Sequence, residues 1–148
     1  MDIFFQIEKL KPAQQDKVRQ VFAEECSEVV AVLGFDKAVE FFNKFGGKRF
    51  RFPCWDTKWK SKKTPNTLVL EEALGESAAA KIIVMFSGHA VEISTCKKTR
   101  RAVANYLIVN DLDDLIAQGL SGFKASEAVA LKHGCSMRWV YKLGKMLV

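Results

Sequence analysis

Apolar residues in the first third of the chain recur at helical spacing. Val18, Val21, Phe22, Val29 and Val32 form one stripe, which predicts a helix from about Ala13 to Val32 with Pro12 suited to its first turn. A period of two takes over in "KRFRFP". There Phe50 and Phe52 fall on one face of a short strand and Arg49 and Arg51 on the other, and Pro53, with no amide hydrogen to donate, closes it. Just ahead, Gly46 and Gly47 suit the positive φ that ends a helix and reverses the chain. Helical spacing returns from about Lys97 to Gln118 through Val103, Leu107, Ile108, Leu112, Leu115 and Ile116, with Gly119 and Gly122 bracketing the end.

The helix-turn-strand stretch occurs twice. With a shift of 41 residues, "LGFDKAVEFFNKFGGKRFRFP" (33–53) lies on "LGESAAAKIIVMFSGHAVEIS" (74–94) without a gap. Leu33/Leu74, Gly34/Gly75, Ala38/Ala79, Phe45/Phe86 and Gly47/Gly88 are identical, and Phe41/Ile82, Phe42/Ile83, Phe50/Val91 and Phe52/Ile93 keep their apolar character. Asp36 and Ser77 share a slot and are both good N-cap residues. Each unit therefore reads as helix, Leu-Gly stop, capped short helix, glycine turn and strand, the leading helix of the second being a shorter one near Thr67 to Ala73. A lone strand would leave both backbone edges unpaired. The two strands must pair antiparallel about a pseudo-twofold axis within one chain, or pair between two chains, and the sequence leaves both open.

The last stretch, "SEAVALKHGCSMRWVYKLGKML", has the helix-turn-helix pattern. A helix from about Ser126 to His133 ends at Gly134, and Ser136 caps a second from Met137 to about Met146. Small Ala130 sits at the crossing, and Val129, Val140 and Leu143 are the candidate core. Arg138, Tyr141, Lys142 and Lys145 then share an exposed face at i, i+3, i+4, i+7 spacing, suited to phosphates and to bidentate pairing of arginine with guanine in a major groove. Ser136 and Met137 lie at the helix N-terminus, where phosphate approach is favoured. Trp139 fits the core over Leu143 and Met146 as well as the surface. The plainer reading is a helical hairpin with a solvated basic face.

Charge sharpens this picture. The formal net charge is +6, which on a small protein favours a polyanionic partner. It is concentrated: residues 48–63 carry +6 and 120–148 carry +4, whereas 1–47 carry −2 and 64–95 carry −3. The basic segment holds Trp55 and Trp59, which suit stacking on bases as well as covering a small core. Lys97, Lys98, Arg100 and Arg101 open the long helix against its dipole, which points to anion contact there or to a solvated face. Cys26, Cys54, Cys96 and Cys135 form no C-x-x-C pair and His89 and His133 stand alone, so no zinc site, other metal or cofactor is expected. No nucleophile, base and orienter assemble, which argues against an enzyme. The start lacks the features of a signal peptide, and no apolar run suits a membrane span. These features predict a cytoplasmic protein with reduced thiols.

On "LGESAAAKIIVMFSGHAVEIS", "FGGKRFRFP" and "HGCSMRWVYK" the chain resembles the Mor/C family of phage transcription activators. The resemblance covers about 33–53 and 74–148 and departs from the family at Ser87 and Ser94, where glycine and proline are usual. It implies a dimerisation domain whose strands pair across a twofold and a helix-turn-helix binding a dyad promoter element. It also implies DNA contacts from Ser136, Arg138, Tyr141 and Lys142, and RNA polymerase as a further partner. The expected architecture is thus mainly α with minor β. A helical domain over 1–94, with a two-stranded antiparallel ribbon, precedes a helix-turn-helix domain over 95–148. The expected function is a double-stranded DNA-binding transcriptional regulator, as a homodimer or a pseudo-dimeric monomer. The DNA-contact candidates are Ser136, Met137, Arg138, Tyr141, Lys142, Lys145, Lys97, Lys98, Arg100, Arg101, Arg49 and Arg51. The alternative is a protein-interaction module, or a phage repressor or accessory protein, on a similar fold.

Overall fold

The computed structural model describes residues 4–54 and 64–146, with side chains from Ile7 onward. The loop carrying Trp55 and Trp59 lies outside the described residues. A short 3-10 helix (Phe4–Lys9) leads into α1 (Pro12–Glu25) and α2 (Ser27–Leu33). The single helix expected over 13–32 is therefore two. The chain leaves helical geometry at Cys26, with φ −120° and ψ 38°. The reason is tertiary: α1 packs on the later long helix, whereas α2 packs within the repeated part, and one straight rod could not follow both.

The repeat builds matching halves. In the first, α2 is followed by α3 (Phe35–Phe45) and β1 (Arg49–Arg51); in the second, α4 (Pro65–Leu74) is followed by α5 (Glu76–Phe86) and β2 (Ala90–Glu92). Gly34 (φ 79°, ψ 169°) and Gly75 (φ 86°, ψ 162°) each end one helix and begin the next, in a backbone region open essentially to glycine alone. Because these glycines occupy the N-cap positions, Asp36 and Ser77 are not the caps expected; each lies inside the first turn. The glycine turn also differs from expectation. Gly46 takes φ −55° and only Gly47 is positive, at 79°; their counterparts Ser87 and Gly88 take −43° and 75°. The first turn position needs no positive φ, so serine can stand there.

The strands pair with each other inside the chain, antiparallel, with Arg49 opposite Glu92, Phe50 opposite Val91 and Arg51 opposite Ala90. The flanking hydrogen bonds obey the same symmetry. Ile93 N donates to Lys48 O and Phe52 N to His89 O, both at 2.9 Å, and Lys48 N and His89 N donate to Phe45 O and Phe86 O. A pseudo-twofold axis thus passes through the Phe50–Val91 pair. Around it α2 packs on α5 and α4 on α3, so each half's leading helix covers the other half's short helix. Inside, Phe52 lies 4.8 Å from Phe50 and 4.9 Å from Phe86 between ring centroids, and Phe41, Phe42, Leu70, Leu74, Ile82 and Ile83 are buried around this aromatic cluster.

From β2 the chain enters α6 (Lys97–Ala117), then α7 (Gly122–His133) and α8 (Met137–Met146). α6 serves two cores. Val103, with Ala102, Tyr106 and Leu107 beside it, belongs to the first; Ile108, Val109 and Leu112 belong to a second, shared with Ala125, Val129, Ala130, Val140 and Leu143. The change of core falls within α6, beyond the boundary expected at 94/95. α1 and the 3-10 helix pack along α6, and the Gln14 and Asn110 amides exchange two hydrogen bonds of 2.9 Å there. α7 starts four residues before the expected Ser126, because the Ser121 hydroxyl accepts from Lys124 N and caps it. The fold is mainly helical with one small antiparallel ribbon, and no helix among the described residues is long and apolar enough to cross a membrane.

Candidate nucleic-acid interface

α8 owes its position to a short turn and a tight seat. Gly134 ends α7 in the left-handed region (φ 66°, ψ 34°), and Cys135 N returns a hydrogen bond of 3.0 Å to Ala130 O. The Ser136 hydroxyl accepts from Trp139 N at 3.1 Å, capping α8. Val140 and Leu143 are sunk against Val129 and Ala130, and a Cβ added at Gly144 would stand 3.3 Å from the Leu112 side chain. Ala130, expected at the crossing of α7 and α8, is buried in the core they share, and α8 packs on both α6 and α7.

What remains outside is a polar ridge. Arg138, Tyr141, Lys142 and Lys145 are all exposed, with the Lys142 ammonium 5.8 Å from the Trp139 ring centroid. Met137 and Trp139 are half-buried against the second core, so Met137 belongs to the packing side of α8 rather than to the ridge. Ser136 is exposed at the helix start, its hydroxyl engaged in the cap.

The end of α7 is tied to α6 through Asp111, whose Oδ2 lies 2.6 Å from His133 Nε2 and 2.9 Å from Lys132 Nζ. Partial burial would raise the Asp111 pKa; hydrogen bonds from His133 and Lys132, with their charges, outweigh it and hold the carboxyl below its usual range.

The other basic candidates stand elsewhere. Lys97, Lys98 and Arg101 are exposed on the first turns of α6, while Arg100 is half-buried and donates from Nε to Thr95 O. From Lys98 to Leu112, where α8 packs, is about 21 Å along α6 at 1.5 Å per residue. The anion that this helix start calls for is supplied internally. Glu25 accepts from Lys98 N at 2.8 Å, from Thr99 N at 3.1 Å and from Thr99 Oγ1 at 2.9 Å. Arg49 and Arg51 occupy the exposed face of the ribbon, as the alternation predicts, with Arg49 opposite Glu92. Apart from Met137 and the capping Ser136, the candidates fall into an exposed ridge on α8 and basic residues on other elements, the ribbon and the start of α6.

Two features have no clear signal in the sequence. Phe123 and Leu131 on α7 stand 59% and 86% exposed, although their spacing suits a packed face. The Glu25 cap comes from a residue 73 positions away, which no local pattern reports. Comparisons with protein-family models, curated proteins and solved structures give no match for this chain.

Proposed function

We propose that the chain is a double-stranded DNA-binding transcriptional regulator, of the kind its resemblance to phage Mor/C activators implies. In this reading α7 and α8 act as a helix-turn-helix. The observation that carries it is the exposed ridge of Arg138, Tyr141, Lys142 and Lys145 on a helix whose opposite face is buried in a core of its own. A rigid cationic helix is what major-groove readout requires, because base-edge hydrogen bonds tolerate little positional error. Arg138, in the first turn, is the base-reading candidate, and Lys142 and Lys145 contact phosphate. The basic start of α6 and the ribbon arginines extend the electrostatic footprint along the backbone.

The stoichiometry follows from the repeat. The pseudo-twofold relates the two ribbon units, but α6, α7 and α8 have no counterparts among the described residues. One chain then carries one reading helix, and a dyad operator takes two chains.

Selection of bound fragments from random duplexes, followed by anisotropy titration, tests the reading. Arg138→Ala is expected to relax preference at one base position, losing about 1–3 kcal/mol on the preferred site. Lys142→Ala is expected to weaken all duplexes alike and to reduce the salt slope by about one. Unchanged binding by both variants would overturn the assignment. The second reading, a protein-interaction module, is favoured by exposed Phe123 and Leu131. It predicts a partner lost with Phe123→Ser and Leu131→Ser and an affinity nearly indifferent to salt.

A further inference from the structure

Cys26 and Cys96, 70 positions apart, bring their sulfurs to 3.3 Å. Cys26 lies at the break between α1 and α2, and Cys96 at the N-cap of α6, where its φ of 56° is the one positive value for a non-glycine among the described residues. Both are buried, at 7% and 0% exposure, but their access differs. A cleft of about 310 Å³, with Phe42, Phe86, Ile93 and Ser94 in its wall, is lined by Glu25 and Cys26 and not by Cys96. Of the two residues only Cys26 borders this cleft, which makes its sulfur the one assigned to meet a small oxidant first.

We propose that Cys26 and Cys96 form a peroxide-oxidisable dithiol that closes to a reversible disulfide. The Cys26 thiolate attacks one oxygen of hydrogen peroxide and breaks the O–O bond. It becomes a sulfenic acid, and the departing hydroxide takes up a proton as water. The Cys96 sulfur then attacks the Cys26 sulfur, the S–O bond breaks, and the leaving hydroxide carries off the Cys96 proton as a second water. Two thiols lose two electrons and two protons, and one peroxide becomes two waters. A dithiol reductant reverses the change by exchange.

The hydrogen-bond arrangement suits these roles. A bond from Cys96 favours the thiolate of Cys26 and lowers its pKa, against burial and the neighbouring Glu25 charge. The same bond and burial raise the pKa of Cys96.

The rival occupant is a metal ion, since Glu25, Cys26 and Cys96 hold three donor atoms within 4.8 Å. Two facts favour the disulfide. Both Glu25 carboxylate oxygens are already engaged at the start of α6. The sulfurs at 3.3 Å are closer than the roughly 3.8 Å that two thiolates take on one tetrahedral zinc.

The test is peptide mass spectrometry on the full chain after graded hydrogen peroxide, with free thiols alkylated after unfolding and exposed Cys54 as the internal comparison. The expected product is a crosslink between the Cys26 and Cys96 peptides that dithiothreitol removes and that does not form preferentially when peroxide is added in urea. In Cys96→Ser, Cys26 should be trapped as a sulfenic acid by dimedone. In Cys26→Ser, Cys96 should react about tenfold more slowly than Cys26 does in the parent. Free Cys26 and Cys96 at doses that oxidise Cys54, or pairing with Cys54 or Cys135 instead, would overturn the proposal. So would stoichiometric retention of added Zn²⁺ with both thiols shielded from alkylation, which would assign the site to a metal.

Discussion

Glu25 does for α6 what an N-cap side chain ordinarily does for its own helix, and does it from α1. With Lys97, Lys98, Arg100 and Arg101 in its first turns and no acidic residue there, α6 itself offers nothing to offset the positive end of its dipole. The carboxylate supplies both the acceptors and the compensating charge. Glu25→Ala is expected to cost about 1–2 kcal/mol, the upper range for a lost cap, read as a lower urea midpoint. Gly34 and Gly75 make a second residue-scale test: alanine at either must adopt a φ near 80°, a strain of about 1–3 kcal/mol. The glycines were legible because their neighbours repeat at a fixed interval. The carboxylate was not, because its partners are chosen by how α1 lies on α6.

Among the elements, α7 shows how a local rule and a tertiary contact divide the work. Its start is set by Ser121 and its end by Gly134, while its last turn is bound to α6 through Asp111. Because the folded carboxyl titrates below its ordinary range, the stability it contributes is fully present above the unfolded pKa of about 4 and is lost as pH falls through the folded value. Asp111→Asn should therefore melt below the parent at neutral pH, and the gap should close on acidification through about pH 4 and below. A gap that held or widened would show that the carboxylate charge is not what matters. The helical stretches of 13–32 and 97–118 were legible from apolar spacing, since burial imposes that period. The break at Cys26 carried no glycine or proline to announce it, and the early start of α7 was obscured by Gly122, which reads as a helix stop and serves here as the first helical residue.

At the scale of the whole molecule, the sequence offered two pairings for the ribbon, within a chain or between chains, and could not choose. The structure forms it within the chain. A double substitution, Arg49→Cys with Glu92→Cys, tests this directly. These positions face each other across the ribbon, so oxidation should yield a crosslink that leaves the chain at monomer mass on a non-reducing gel. A covalent dimer would mean that the strands are exchanged between copies. The Phe50–Val91 pair shows what enclosing the axis in one polypeptide permits. In an assembly of identical subunits, whatever residue sits on the twofold must meet itself, and every substitution is made twice. Here a phenyl ring meets a smaller aliphatic group, with Phe41, Phe42 and Phe52 on one side answered by Ile82, Ile83 and Ile93 on the other. With both sides in one chain they need not be alike, so that each can be fitted to the other's shape.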